Sequence, residues 1–152
     1  MLSFESGCPC GSGQPLANCC ARFWRGEAIT RPEELMRARY SAFASGQMEF
    51  LLATLHPSRQ QPDERAQLTQ SLADTQWLAL HVLAAVENCV EFVAFFRQQN
   101  KLGQLHERSR FVYEDGRWWY LDGDFLPALK WERNESCWCR SGKKYKKCHG
   151  LN

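Results

Sequence analysis

Two stretches, CPCGSGQPLANCC at 8–20 and CWCRSGKKYKKCHG at 137–150, place thiols and one imidazole at the same spacing. Superimposed, Cys8 falls on Cys137, Cys10 on Cys139, Ser12 and Gly13 on Ser141 and Gly142, Cys19 on Cys148, and Cys20 on His149. Zinc takes four thiolate or imidazole ligands in a tetrahedron, with Zn–S about 2.3 Å and Zn–N about 2.0–2.1 Å, and each stretch supplies four. Residues two apart in extended backbone leave the same face, so Cys8 with Cys10, and Cys137 with Cys139, can grip one ion. The Ser-Gly that follows can turn the chain and cap a short helix, whose far end returns Cys19-Cys20, or Cys148-His149, to the same metal. Gly150 suits the left-handed residue that ends many helices.

The expectation is two zinc ions: one held by Cys8, Cys10, Cys19 and Cys20, the other by Cys137, Cys139, Cys148 and His149. The competing reading, reactive or merely buried thiols, fits one copy better than two copies in register with a Cys-for-His exchange. A full ligand set leaves no open position, so the metals are expected to staple coreless ends rather than to catalyse. Cys89 stands apart in an apolar segment and reads as a small core residue. Eight cysteines without a leader-like start or a run of about 18 apolar residues suit a reducing compartment, and the protein is expected to be cytoplasmic.

Charge separates the two ends. The whole chain carries 19 basic and 17 acidic residues, a net +2, which excludes a global field of the kind nucleic-acid binders show. Residues 133–152 hold Arg133, Arg140, Lys143, Lys144, Lys146 and Lys147 against Glu135, a local +5, whereas the head loop GSGQPLAN has no charge.

The elements that must position these motifs lie between them. In TRPEELMRARYSAFASGQMEFLLATLHP, Thr30 with Glu33 reads as a capping box, and Pro32 and Glu34 suit a first helical turn. Met36, Tyr40 and Phe43 recur at helical spacing, Gly46 invites a break, and a second short helix runs through Phe50, Leu51 and Leu55 until His56-Pro57. A third helix covers PDERAQLTQSLADT, burying Leu68 and Leu72. Beyond Thr75 the pattern turns to strands, QWLALHVLAAVE, CVEFVAFFRQQ, GQLHERSRFVYE and RWWYLDG, with turns at Glu87-Asn88, over 100–103 and at Asp115-Gly116. Helices first and strands second predict an α+β fold, an antiparallel sheet curled over N-terminal helices that can leave a pocket. The domain reading is a zinc motif at 1–25, an α+β domain at 26–132 and a zinc motif at 133–152.

The tail resembles the SEC-C motif, a zinc-binding docking element, and the head resembles a less typical copy. LMRARYSAF, TLHP, ERSRF and GRWWYLDG resemble the bacterial YchJ-like family, so the likeness spans nearly the whole chain. That resemblance implies a central domain of the nuclear-transport-factor-2-like cone type and zinc, but no reaction. Two departures stand out: Trp138 and Arg140 occupy places where the usual motif has Pro and Gly.

Two functions follow from these residues. The first is a zinc-held interaction or adapter protein whose Lys143, Lys144, Tyr145, Lys146 and Lys147 meet an anionic partner such as the ribosome, RNA or an acidic chaperone surface, with Trp138 available to stack or pack. Its bland counterpart is four lysines forming a solvated face. The second is a small pocketed enzyme or ligand-binding domain in which the zinc motifs are staples only. Alternation places Leu105, Glu107, Ser109 and Phe111 on one face of their strand and His106, Arg108 and Arg110 on the other, so Glu107 is expected inside, paired with Arg37 or Arg39. His56 reads as a helix-end cap and His81 as a strand residue without a partner. The sequence shows no nucleophile, paired-carboxylate or phosphate-loop signature, so no catalytic residue is named and an enzyme is the less favoured reading.

Overall fold

In the computed structural model, which describes residues 4–151, four helices precede four strands. Helix α1 (Cys20–Trp24) grows directly out of the head motif, and α2 (Pro32–Ser45), α3 (Met48–Thr54) and α4 (Glu64–Asp74) follow. The N-terminus of α2 is closed by Glu34 rather than by Glu33. Its Oε1 accepts the Thr30 N–H at 2.9 Å, the Thr30 hydroxyl at 2.8 Å and the Arg31 N–H at 3.2 Å. Pro32 takes the first helical position, which makes Arg31 the cap and Glu34 the third residue in. Glu33 pairs instead with Arg37 one turn on, at 3.1 Å.

Strands β1 (Thr75–Val86), β2 (Cys89–Gln98), β3 (Lys101–Glu114) and β4 (Arg117–Phe125) form an antiparallel sheet in chain order. The fold is therefore α+β, as the order of elements predicts. The turn expected over 100–103 is tighter, with Gln99 and Asn100 both left-handed at φ 51° and 62°. Gly103 lies within β3, directly opposite Phe96. Register shifts between Trp77 and Ala79, Val82 and Ala84, and Arg110 and Phe111 bend the sheet, because a bulged strand turns away from its partner.

The curved sheet has two covered faces. Strand β2 reads VEFVAFF because both its sides are packed. Phe92 and Ala94 face α2 and the interior, while Val93 and Phe95 face the opposite way, onto the C-terminal segment. That segment is pinned to the outer side of β3. The Leu126 N–H donates to the His106 carbonyl at 2.8 Å, and the side-chain amide of Gln104 exchanges hydrogen bonds with the Leu129 backbone at 2.9 and 2.6 Å.

The head motif belongs to the main core. Cys8, Cys10, Leu16, Cys20, Ala21 and Phe23 are buried in one cluster with Leu35, Met36, Ala38 and Tyr40 of α2 and with Leu80, Val90 and Phe92 of the sheet. Leu16 alone is 2% exposed, a burial that contributes about 1.5–3 kcal/mol. Head and middle therefore share one core, and the head is not the coreless end that its length suggests. Cys89, expected in the core, is half-buried at the start of β2.

Candidate metal centres

Head and tail repeat each other bond for bond. The Cys8 N–H donates to the Gln14 carbonyl at 2.8 Å, and the Cys137 N–H to that of Lys143 at 2.8 Å. Gly11 N–H reaches Cys8 O, and Arg140 N–H reaches Cys137 O, each at 3.1 Å. A single 3-10 turn, Leu16–Asn18 or Tyr145–Lys147, then delivers the second pair of ligands. The Ser12 and Ser141 hydroxyls accept the Gln14 and Lys143 N–H groups, at 3.1 and 3.2 Å, which holds each turn closed. Gly150 is not the left-handed terminator expected of it. It is present for close approach, since a Cβ there would meet the Tyr145 carbonyl oxygen at 2.7 Å.

The donor atoms of Cys8, Cys10, Cys19 and Cys20 lie within 4.8 Å of one another, and so do those of Cys137, Cys139, Cys148 and His149. Sulfur atoms are 3.6 Å apart in both the Cys10–Cys19 and the Cys139–Cys148 pair. A disulfide would bring them to about 2.05 Å, whereas two thiolates on one tetrahedral zinc stand about 3.8 Å apart, from Zn–S of about 2.3 Å. Nδ1 of His149 sits 3.2 Å from Cys137 Sγ and 3.4 Å from Cys148 Sγ. Both donor sets fit a tetrahedral zinc, which would hold its thiols as thiolates and tie two chain segments together.

The thiols are already electrostatically unequal. Hydrogen bonds from Cys20 and Cys8 draw Cys10 far below the ordinary thiol value, while the same contacts push Cys20 up. Burial raises Cys139, yet the hydroxyl and backbone N–H of Ser141, with the neighbouring thiols, bring it down to about 6. Such a thiol enters a metal site without a large proton cost.

The two departures from the usual motif dock the tail. Trp138 is 4% exposed and lies on Phe95, and on its other side the His149 ring is 4.2 Å away. Trp138 thus packs and is not available for stacking on a partner. Its carbonyl accepts from Nε2 of His81 at 2.7 Å, so His81 has the partner that its strand context did not reveal. Burial lowers the His81 pKa, and the nearby Arg140 adds to this against the pull of the Trp138 carbonyl. Arg140 donates from Nη2 to the Leu80 carbonyl at 2.6 Å. Its guanidinium also covers Gly11, where a Cβ would meet it at 2.9 Å, so the two motifs touch. Gly11 and Arg140 are equivalent positions, and both are left-handed, at φ 82° and 63°. Arginine adopts that backbone only under strain, which its docking offsets.

On the outer side of the tail, Lys143, Lys144 and Lys147 are exposed, and Lys146 and Tyr145 are half-buried. Tyr145 packs on the cluster around Trp138 and Cys137. Among the described residues none of these lysines is in an ion pair, in contrast to Arg110, which is held by Asp122 and Asp124 at 2.6 Å each.

A second feature lies on the inner face. A cavity of about 410 Å³ opens between α2 and the sheet, and Glu107 lines it, 7% exposed. The expected arginine partner is absent. Oε2 of Glu107 accepts from the Ser109 hydroxyl and, at 3.1 Å, from the Tyr120 hydroxyl. Arg37 is committed to Glu33 and to the Cys10 carbonyl at 2.9 Å. Arg39 donates to the Leu51 carbonyl at 2.9 Å and the Thr54 hydroxyl at 2.6 Å, and lies over the Tyr120 ring at 4.7 Å. Tyr120 on β4 intervenes, and no signal local to ERSRF announces it. Gly123 completes the seat, since a Cβ there would meet Glu107 Oε2 at 2.5 Å. His56 does cap the short turn at Pro57–Arg59, accepting the Ser58 N–H at 3.2 Å, and it also pairs with Glu114.

Comparison with known proteins agrees with this geometry. Residues 31–123 match the YchJ middle NTF2-like domain, and residues 133–151 match the SEC-C motif. The chain is 41% identical over 150 residues to a UPF0225 protein of Enterobacter sp. (strain 638), covering 94% of this chain and 97% of the relative. It is 42% identical to a UPF0225 protein of Vibrio cholerae, covering 94% and 99%. Among solved structures, a SEC-C motif-containing protein from Rhodopseudomonas palustris superimposes with a TM-score of 0.73 at 31% identity, over 80% of this chain and all (100%) of that one. Another from Psychrobacter arcticus gives 0.65 at 25% identity, over 99% of each.

Proposed function

The chain belongs to the YchJ family of UPF0225 proteins and ends in a SEC-C motif, and on that footing we propose that it is a zinc-stapled adapter that docks an anionic macromolecule through the lysine face of its tail. The observation that carries this reading is the division of the tail into two sides. One side is spent on the protein itself through Trp138 and Arg140. The other presents Lys143, Lys144 and Lys147, which form no ion pair with any described residue. Zinc in the tail would carry three thiolates, a formal −1, so the lysines exceed what the metal site needs for balance. With Trp138 buried and Tyr145 packed, neither aromatic of the tail motif stands free beside the lysines, and recognition is by charge, as in phosphate or carboxylate contact, rather than by base stacking. No helix among the described residues is long and apolar enough to cross a membrane.

The test is a salt titration of binding to ribosomes and to a purified acidic chaperone, comparing wild type with a variant in which Lys143, Lys144, Lys146 and Lys147 are all Gln. Zinc content is measured in both. Affinity that falls with salt, and a shallower slope in the variant, are expected, because exposed charges are screened over about 8–10 Å and phosphate contacts release counterions. Equal slopes would make the lysines a solvated face.

The inner cavity favours a second reading, in which the middle domain holds a small molecule while the zinc motifs act as staples.

A further inference from the structure

Resting on that second reading, and independent of the tail, the cavity's chemistry narrows its occupant. We propose that it binds a neutral, planar aromatic molecule that carries an N–H or O–H donor, directed at Oε1 of Glu107.

Four observations lead there. At about 410 Å³ the cavity falls within the roughly 300–1,000 Å³ of small-molecule sites. Its walls are rich in aromatic rings: Tyr40, Phe43, Trp77, Phe92, Phe96 and Phe111 all contribute, and Tyr40, Phe43 and Phe96 meet Trp77 with centroids 5.8, 6.3 and 5.3 Å away. Flat aromatic molecules fit such edges and faces.

Glu107 supplies direction. Both hydroxyl donors, Ser109 and Tyr120, go to Oε2, and Oε1 receives no hydrogen bond from any described residue. Oε1 is not among the fully buried polar atoms and so opens to the cavity, where a ligand that brings a donor can satisfy it and the methylated analogue cannot, which favours the donor. Gly123 keeps this carboxylate seated, since a side chain there would collide with it.

Charge selects neutrality. Among the residues lining the cavity only Arg39 and Glu107 are charged. Burial lowers Arg39 to about 10, against opposing pulls from Tyr120 and Glu107, which leaves the guanidinium protonated at neutral pH. The lining thus balances to zero. An organic cation or anion would leave one net charge in a desolvated site, which a neutral donor avoids.

The experiment is an NMR titration of the zinc-loaded full chain with two matched pairs, indole against 1-methylindole and phenol against anisole, followed by tryptamine and indole-3-acetate. Indole and phenol are expected to shift the amide signals of Ala94, Leu105 and Ser109 and to bind about tenfold or more tighter than their methylated partners. Tryptamine and indole-3-acetate are expected to bind more weakly than indole. In Glu107→Gln, the amide oxygen takes the two hydroxyls and turns its NH₂ into the cavity, so the preference for donors disappears. If that variant does not fold, the wild-type pairs decide alone. Equal binding of donor and methylated probes, or tighter binding of tryptamine, overturns the donor assignment and leaves the cavity reading standing. No binding by any probe overturns the cavity reading itself.

Discussion

The indole of Trp138 lies flat on the ring of Phe95, centroids 4.2 Å apart and planes 2° from parallel. One residue belongs to the tail motif, between two of its ligands, and the other to the outer face of β2. The tail is thereby fixed to the sheet at the position where a SEC-C motif ordinarily has a proline, and the donors that could hold a metal there inherit the rigidity of the sheet.

Trp138→Ala removes this stack together with the burial of a large ring. Core Trp→Ala changes cost about 3–5 kcal/mol, and the loss here is expected at the lower end because the tail can detach without opening the main core. Chemical denaturation gives the stability, and zinc release to a chelator gives the second readout. Release from the tail is expected to quicken. Unchanged stability would mean that the contact contributes no net docking energy.

Arg140 combines a strained backbone with a docking bond, so its variants should rank unusually. Arg140→Gly loses the bond to Leu80 but relieves the left-handed strain, whereas Arg140→Ala loses the bond and keeps the strain. The alanine variant is expected to be less stable than the glycine variant by about 1 kcal/mol, the reverse of the order in ordinary helix interiors. Thermal melts of the two variants check this, and equal stabilities would show that the backbone carries no strain.

Zinc bound at the head and zinc bound at the tail would differ in what they hold up. Cys10 is 0% exposed within the main core, whereas Cys139 is half-buried against the outer face. Cys10→Ser is expected to lower global stability more than Cys139→Ser. Chelation should perturb the amide signals of Leu35, Met36 and Tyr40 as well as the tail. A core that is untouched by zinc removal would return the head to the status of an appendage.

Stability should also fall with pH through His106. Burial disfavours its charged form, but the Pro127 carbonyl 2.8 Å from Nδ1 and the Glu91 carboxylate 2.9 Å from Nε2 both call for an N–H, and together they raise the pKa above 6.5. A raised folded-state value means that the stabilisation is complete below the unfolded value and is lost as pH climbs through the folded one. Melting temperatures across that window should decline in wild type and flatten in His106→Gln. Parallel curves would place the pH dependence elsewhere.

The parts of the molecule legible from the sequence are those whose causes are local. Thiol spacing is a property of a dozen consecutive residues, and both ligand sets assemble around the same backbone bonds because each motif contains its own turn, Ser12-Gly13 or Ser141-Gly142. Strand alternation is local too, which is why Glu107 and Ser109 were assignable to the inner face and His106 and Arg110 to the outer. Thr30-x-x-Glu33 fits the capping pattern and yet Glu34 closes α2, because the helix takes Arg31 as its cap, and only the backbone decides which of the two adjacent glutamates reaches Thr30.

What the tertiary structure alone decided are the pairings between distant segments. Glu107 meets Tyr120 instead of an arginine because β4 lies beside β3, and Arg39 is drawn to the carbonyl end of α3. His81 meets Trp138, Arg140 meets Gly11, and the head enters the main core, each through contacts between segments far apart in the chain. The sequence by itself determined two sets of four donors able to hold a metal, a helix-then-strand order and the inward side of β3, since all three arise from short-range geometry and periodicity. Which surfaces those elements cover follows from the bend of the sheet and the path of the C-terminal segment over β3, and that is a free energy of the whole packed chain, which no window of neighbouring residues contains.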